Sequence, residues 1–281
     1  MEVMAISFPN IDPVAFTLGP LTVKWYGLAY LAGLVLGWLY MRRLLQTPAI
    51  WRGGAPMTPT QADDFLLWAT LGTVVGGRLG FILLYEPTMF IRDPLQIFVV
   101  WRGGMAFHGG FLGVFLAIML FARVNRVPFL SLGDLCAATV PFGLFFGRVA
   151  NFINGEIYGI LSGVPWAVDF PAAVLNRGDI PGPRHPTQVY EAFLEGIVIF
   201  ALLRYFTHSR LSLMRPGLTS GLFLAAYGMA RIGVEYFKQW DHQQFFTTAY
   251  FSEGMVYLLP MLAAGAWLMA NAARKAAAVP R

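Results

Sequence analysis

Cysteine is nearly absent from this chain: one thiol, Cys136, in 281 residues. That excludes an internal disulfide and any multi-thiolate metal site, and the neighbours Leu135, Ala137, Ala138 and Val140 read as a packing environment. Histidine is scarce as well. The four present, His108, His185, His208 and His242, lack the one-turn spacing of H-x-x-x-H or H-E-x-x-H, so no zinc motif is legible and neither metal nor cofactor is expected. Lysine is rarer still, with only Lys24, Lys238 and Lys275. The net charge is +5, yet no basic run or stripe is present to meet a phosphate polymer, and nucleic acid is not expected as a partner. Charged residues make up 12% of the chain and apolar ones 57%, whereas soluble domains hold about 25% and roughly 45 to 50%. Too little polar surface remains to clothe a soluble core, so the bilayer is the expected solvent. No basic residue precedes Lys24, and a cleavable secretory leader is not expected either.

What the chain has in quantity is long apolar runs. A helix needs about 20 mainly apolar residues to cross the hydrocarbon layer. Seven stretches fit: residues 22–41, 64–85, 104–122, 129–147, 189–206, 217–237 and 254–273. Orientation follows from the basic residues, which are enriched in short cytoplasmic loops. Arg42, Arg43, Arg52, Arg123, Arg126, Arg204, Arg210, Arg215, Arg274, Lys275 and Arg281 share one side, 11 of the 20 positive residues. The fold reading is therefore an all-α integral membrane protein of about seven transmembrane helices, one polytopic domain over 1–281. Its N-terminus lies outside and its C-terminus in the cytoplasm. Residues 156–188 are too rich in Gly and Pro for a span, and are expected to form a small extracytoplasmic cap.

Charges at membrane depth cost about 2.5 to 3.5 kcal/mol each on insertion scales, so those that persist usually pair or touch a substrate. The candidates are Arg78, Arg148, Glu195, Arg231 and Glu235. Arg78 fits snorkelling to the interface or a buried role, and Glu195 fits a structural or a functional carboxyl. Arg148 opens the run Gly147-Arg148-Val149-Ala150-Asn151-Phe152-Ile153-Asn154-Gly155-Glu156-Ile157-Tyr158-Gly159. On a helix Arg148 and Asn151 share a face, and so many polar groups exceed what anchoring a helix end requires. Tyr227, Arg231 and Glu235 recur one turn apart, which lets Arg231 and Glu235 pair. Two arginines near the outer boundary suit a phosphate, because the guanidinium fork bonds it bidentately and stays charged when desolvated. A phospholipid headgroup is the phosphate found at that depth. His108 reads either as a hydrogen-bonded structural residue or as a general base, and Thr187 fits a helix N-cap.

Together these residues resemble the bacterial phosphatidylglycerol:prolipoprotein diacylglyceryl transferase family over nearly the whole chain. The likeness runs through Phe8-Pro9-Asn10-Ile11-Asp12-Pro13, Leu18-Gly19-Pro20-Leu21, Trp25-Tyr26-Gly27-Leu28, Gly76-Gly77-Arg78 and Phe107-His108-Gly109-Gly110. It continues in the Gly147 to Gly159 signature, His185-Pro186-Thr187-Gln188 with Tyr190-Glu191, and Tyr227-Gly228 with Arg231 and Glu235. The resemblance implies a multi-pass enzyme of the bacterial cytoplasmic membrane. It would transfer the diacylglyceryl group of phosphatidylglycerol to the lipobox cysteine of a preprolipoprotein signal peptide, releasing glycerol 1-phosphate, with membrane lipids around it. Carried over by motif, His108, Arg148, Arg231 and Glu156 are the expected catalytic residues. Tyr26, Asn151, Asn154, Gly159, Tyr227 and Glu235 are the expected substrate-binding ones. His108 is taken as base with Glu156 its rival. Ala150, Ile160 and Lys238-Gln239-Trp240-Asp241 depart from the usual pattern of Gly, a basic residue and Arg-x-Pro-Asp. The competing class is a transporter or channel for a small anion using the same arginines.

Overall fold

The computed structural model describes residues 5–9, 11–19, 21–88, 93–99, 103–171, 179–239 and 252–277. Asn10, Pro20, Trp240, Asp241, His242, Arg281 and cap residues 172–178 lie outside the described residues. The chain divides into two compact units, Met41–Leu135 and the remainder.

Residues 41–135 are organised by α2 (Pro59–Tyr85) and α3 (Phe107–Val124). The start of α2 is fixed locally by Thr58, whose hydroxyl accepts from Gln61 N at 3.1 Å while Thr58 N donates to Gln61 Oε1 at 2.8 Å. This reciprocal capping box, followed by proline at the first helical position, satisfies two exposed N–H groups. Gly72 and Gly76 of α2 meet Gly109 and Gly113 of α3 so closely that a methyl group on any of them would overlap the partner backbone. Small residues at one-turn spacing let two helices pack without a hydrophobic driving force between them. Arg78 does not snorkel. It is buried, and donates from Nε to the Ile97 carbonyl at 3.1 Å and from Nη1 to the Gly103 and Gly104 carbonyls at 2.7 and 3.2 Å. Its charge is thus used to hold the segment that leads into α3.

The other unit opens on a hairpin, β2 (Val14–Leu18) with β3 (Leu21–Lys24), after the short β1 (Ile6–Ser7). Residues 22–24, expected to start the first span, are strand instead. Helix α1 (Trp25–Leu45) begins only at Trp25, because the β-branched Thr22 and Val23 pair across the hairpin with Thr17 and Phe16. α4 (Phe129–Ile153) is followed by the cap, where β4 (Val168–Asp169) pairs in parallel with β1. Phe8, Phe152, Tyr158, Val168 and Phe170 make a small core beneath it. α5 (Thr187–Glu191) runs through a π-helical stretch (Ala192–Val198) into α6 (Ile199–Ser209). α7 (Leu218–Glu235) packs on α8 (Glu253–Ala277).

The protein is mostly helical, and α1, α2, α3, α4 and α8 are long and apolar enough to cross a membrane. The other two expected spans are the π-interrupted helix of residues 187–209 and α7. Both are helical, but the first holds no single α-helix of spanning length and the second carries Arg231 and Glu235 inside it.

Candidate active site

The site is built in the larger unit from the ends of α4, α5 and α7. Arg148 projects from the penultimate turns of α4 and Asn151 follows on the same face, with Arg148 Nη1 donating to Asn151 Oδ1 at 3.4 Å. Asn151 Nδ2 in turn donates to Glu156 Oε1 at 2.9 Å, and Asn154 Nδ2 donates to the same oxygen at 3.3 Å. This is possible because the helix ends at Ile153 and the chain turns back through Gly155 at φ 64°, a backbone conformation that glycine adopts without cost. Ile157 also sits at φ 60°. Gln188 Nε2 donates to the Glu156 carbonyl at 2.6 Å, and the Thr187 hydroxyl to the Ile157 carbonyl at 2.8 Å. Thr187 is therefore not an N-cap. It is spent on holding the turn after α4, and the residue at the cap position is Pro186.

The centre of the arrangement is Glu191, at the last turn of α5. Its carboxylate is wholly buried, with 0% of the side chain exposed, and Arg148 Nε lies 3.1 Å from Oε2. Oε1 pairs with Arg231 Nη1 and, at 2.7 Å, with Lys238 Nζ. Glu195, also wholly buried within the π-helical stretch, lies 3.5 Å from Arg148 Nε. π-helical turns recur at functional sites. Arg231 Nη2 lies 3.6 Å from Glu235 Oε2, the one-turn pair read from the sequence, and Ser252 donates to Glu235 Oε1 at 3.0 Å. The three cations keep 18, 23 and 11% exposure for Arg148, Arg231 and Lys238, while the carboxylates behind them have almost none. The cations are the partly exposed members of the cluster, and the carboxylates they pair with are its buried ones.

Tyr227 lies in the field of Glu195 and Arg148, and the Tyr26 hydroxyl in that of Glu156 and Arg148, 3.0 Å from the Tyr30 hydroxyl. Gly159 pairs with Lys238 in an antiparallel bridge, its N–H donating to the His185 carbonyl at 2.8 Å. Burial pushes the Lys238 ammonium down to about 7, with the nearby charges of Arg231 and Arg148 acting in the same direction. Burial also lowers His185, whose Nδ1 is 2.9 Å from the Tyr190 hydroxyl.

Nine of the ten predicted site residues thus belong to this unit: Tyr26, Arg148, Asn151, Asn154, Glu156, Gly159, Tyr227, Arg231 and Glu235. The tenth, His108, belongs to the other unit, in the first turn of α3 with its ring edge-on to Phe107. Sequence reasoning missed the roles of Glu191 and Lys238. The signal was present: Glu191 and Glu195 are carboxylates one turn apart in an apolar stretch, which demands cations from elsewhere. Among the described residues no group of three or more His, Cys, Asp or Glu is placed to hold a metal ion.

Fold and site together define a multi-pass helical membrane protein with a cationic centre backed by buried carboxylates. Residues 13–271 match the family model described as prolipoprotein diacylglyceryl transferase. A relative named phosphatidylglycerol–prolipoprotein diacylglyceryl transferase, from Rhizobium meliloti, is 51% identical over 275 residues, spanning 97% of this chain and 96% of the relative. Proteins of the same name from Brucella anthropi and Nitrobacter winogradskyi are 48% and 47% identical over 275 and 285 residues, spanning 97 and 99% of this chain and 96% of each relative. The chain belongs to the prolipoprotein diacylglyceryl transferase family.

Proposed function

We propose that this enzyme transfers the diacylglyceryl group of phosphatidylglycerol to the thiol of a lipobox cysteine in a preprolipoprotein signal peptide. The observation that carries the reading is the pair of partly exposed guanidiniums of Arg148 and Arg231 on the wholly buried carboxylate of Glu191. In the reaction the sulfur bonds to the glyceryl carbon, the carbon–oxygen bond to the phosphate breaks, and glycerol 1-phosphate leaves with the electron pair. The thiol proton passes to a base. A thiol of ordinary pKa about 8.5 is only a few per cent thiolate at neutral pH, so that base matters. The family motif Phe107-His108-Gly109-Gly110 supports His108 in that role. Glu156 is already committed to the amides of Asn151 and Asn154, which supports it as an orienting carboxylate. Arg148 and Arg231 stabilise charge developing on the phosphate, where preorganised donors act most strongly. Asn151, Asn154 and Tyr26 orient the headgroup, Tyr227 and Gly159 shape its place, and Glu235 holds Arg231.

In the same reading the chain is one polytopic domain in the bacterial inner membrane. It has seven spans, the cap and N-terminus outside, and the C-terminus in the cytoplasm. The excess of arginine on one side supports that orientation. The test is direct. Purified enzyme, phosphatidylglycerol and a lipobox peptide should yield a peptide heavier by one diacylglyceryl group, with glycerol 1-phosphate in equal amount. A serine-for-cysteine peptide should stay unmodified. Absence of the adduct with intact, correctly folded enzyme would overturn the reading.

A further inference from the structure

Glu191 is wholly buried, yet among the described residues it is the carboxylate that contacts all three cations of the site. Arg148 comes from α4, Arg231 from α7 and Lys238 from the segment just after α7, so no single element sets their spacing. Three positive charges gathered in a buried site repel one another, and at low dielectric that repulsion is large. They stay together because both oxygens of one carboxylate are used, Oε2 by Arg148 and Oε1 by Arg231 and Lys238. Lys238 is brought there by backbone contacts as well: the Phe237 carbonyl accepts from Ile160 N at 3.0 Å, and Gly159 and Lys238 are bridged. Paired with a wholly buried Glu191, the three cations remain partly exposed.

We infer that Glu191 is the positioning residue of the active site, holding Arg148, Arg231 and Lys238 as one three-cation receptor in which Lys238 is a further ligand for the lipid phosphate. The inference rests on the reading of the site as a phosphate receptor. Glu191 acts through the cations and never touches substrate. Its loss is therefore felt where cation placement matters most, at the transition state, when charge builds on the leaving phosphate. A misplacement of about 1 Å in such a site can cost on the order of 10²-fold in rate.

The test uses the full-length enzyme with phosphatidylglycerol and a lipobox peptide, reading kcat and KM for the lipid separately. Glu191→Gln keeps the shape and one acceptor oxygen but removes the charge that gathers the cations and turns the other acceptor into a donor. It should lower kcat by on the order of 10²-fold while the protein remains inserted and its thermal midpoint is measured alongside. Lys238→Met should raise KM for phosphatidylglycerol several-fold with a smaller change in kcat, as expected for loss of ground-state binding. Near-normal kcat in folded Glu191→Gln, or an unchanged KM in Lys238→Met, overturns the assignment. Should Glu191→Gln fail to fold, Glu191→Asp gives the reading: it keeps the charge and retracts it by one methylene, so a folded variant must still lose kcat. Wild-type enzyme inactive on phosphatidylglycerol, or fully active Arg148→Lys, would instead overturn the phosphate-receptor reading itself.

Discussion

Gly159 and Phe237 lie backbone against backbone, so close that a methyl group on Gly159 would overlap the Phe237 carbonyl oxygen. The carbonyl cannot retreat freely, because it accepts from Ile160 N at 3.0 Å. This contact joins the end of the Gly147 to Gly159 signature to the exit of α7, and with it the placement of Lys238.

Gly159→Ala should therefore push residues 237 and 238 away from Glu191. The same methyl would also meet Thr187 and His185, so relief by side-chain rotation alone is closed off. Overpacking of this kind costs about 1 to 3 kcal/mol. The expected outcome is a destabilised enzyme with transfer reduced at least about tenfold, a factor corresponding to about 1.4 kcal/mol. Wild-type turnover in Gly159→Ala would show that the bridge to Lys238 is dispensable.

Arg148 separates two roles by one conservative change. Lysine keeps the charge and the reach of an interfacial anchor but loses the planar fork. Arg148→Lys should insert normally and still lose on the order of 10²-fold or more in turnover, the scale of removing a preorganised donor. Arg148→Ala should be worse, because Glu191 and Glu195 then lose a partner at full burial. Steady-state kinetics beside an insertion assay checks both.

The pH dependence follows from Lys238. Its ammonium is pushed down to about 7, so the positive form is complete well below that pH and is lost as pH rises through it. Glu191, Glu195 and Glu235 favour that form, while Arg148 and Arg231 oppose it. If Lys238 binds the phosphate, KM for phosphatidylglycerol should climb above about pH 7. Lys238→Arg, whose guanidinium stays charged, should flatten that climb. Identical KM–pH curves for the two enzymes would remove Lys238 from the receptor.

Orientation is checked by labelling single cysteines in the Cys136→Ala background with a membrane-impermeant reagent. Replacements at Ile180 and Gly182 should react from outside, and those at Arg42 and Arg210 only after permeabilisation. The reverse pattern would invert the topology and the side on which the site opens.

Much of the helical framework was legible because it depends on local properties. Apolar length placed the seven expected stretches on helices of the described residues, with ends off by up to about six residues, as at Ile153, and spacing along one helix brought out the Arg231–Glu235 pair. The start of α1 was misplaced because residues 22–24 satisfy their backbone across a hairpin, a pairing that apolar length does not reveal. Thr187 read as a cap, since its partner, the Ile157 carbonyl, lies 30 residues away.

By itself, then, the sequence determined a membrane protein, the approximate extents of its helices, and a family signature dense in arginine, asparagine and glutamate. Helical periodicity says which side chains share a face, and insertion cost says that charges in apolar runs need partners. Neither says which partner. That Arg78 is captured by the carbonyls of Ile97, Gly103 and Gly104, and that Glu191 gathers Arg148, Arg231 and Lys238, was decided only by tertiary structure. A buried charge is answered by whichever group the packing of separate segments brings within about 3 to 4 Å, and that distance is a property of the assembled fold.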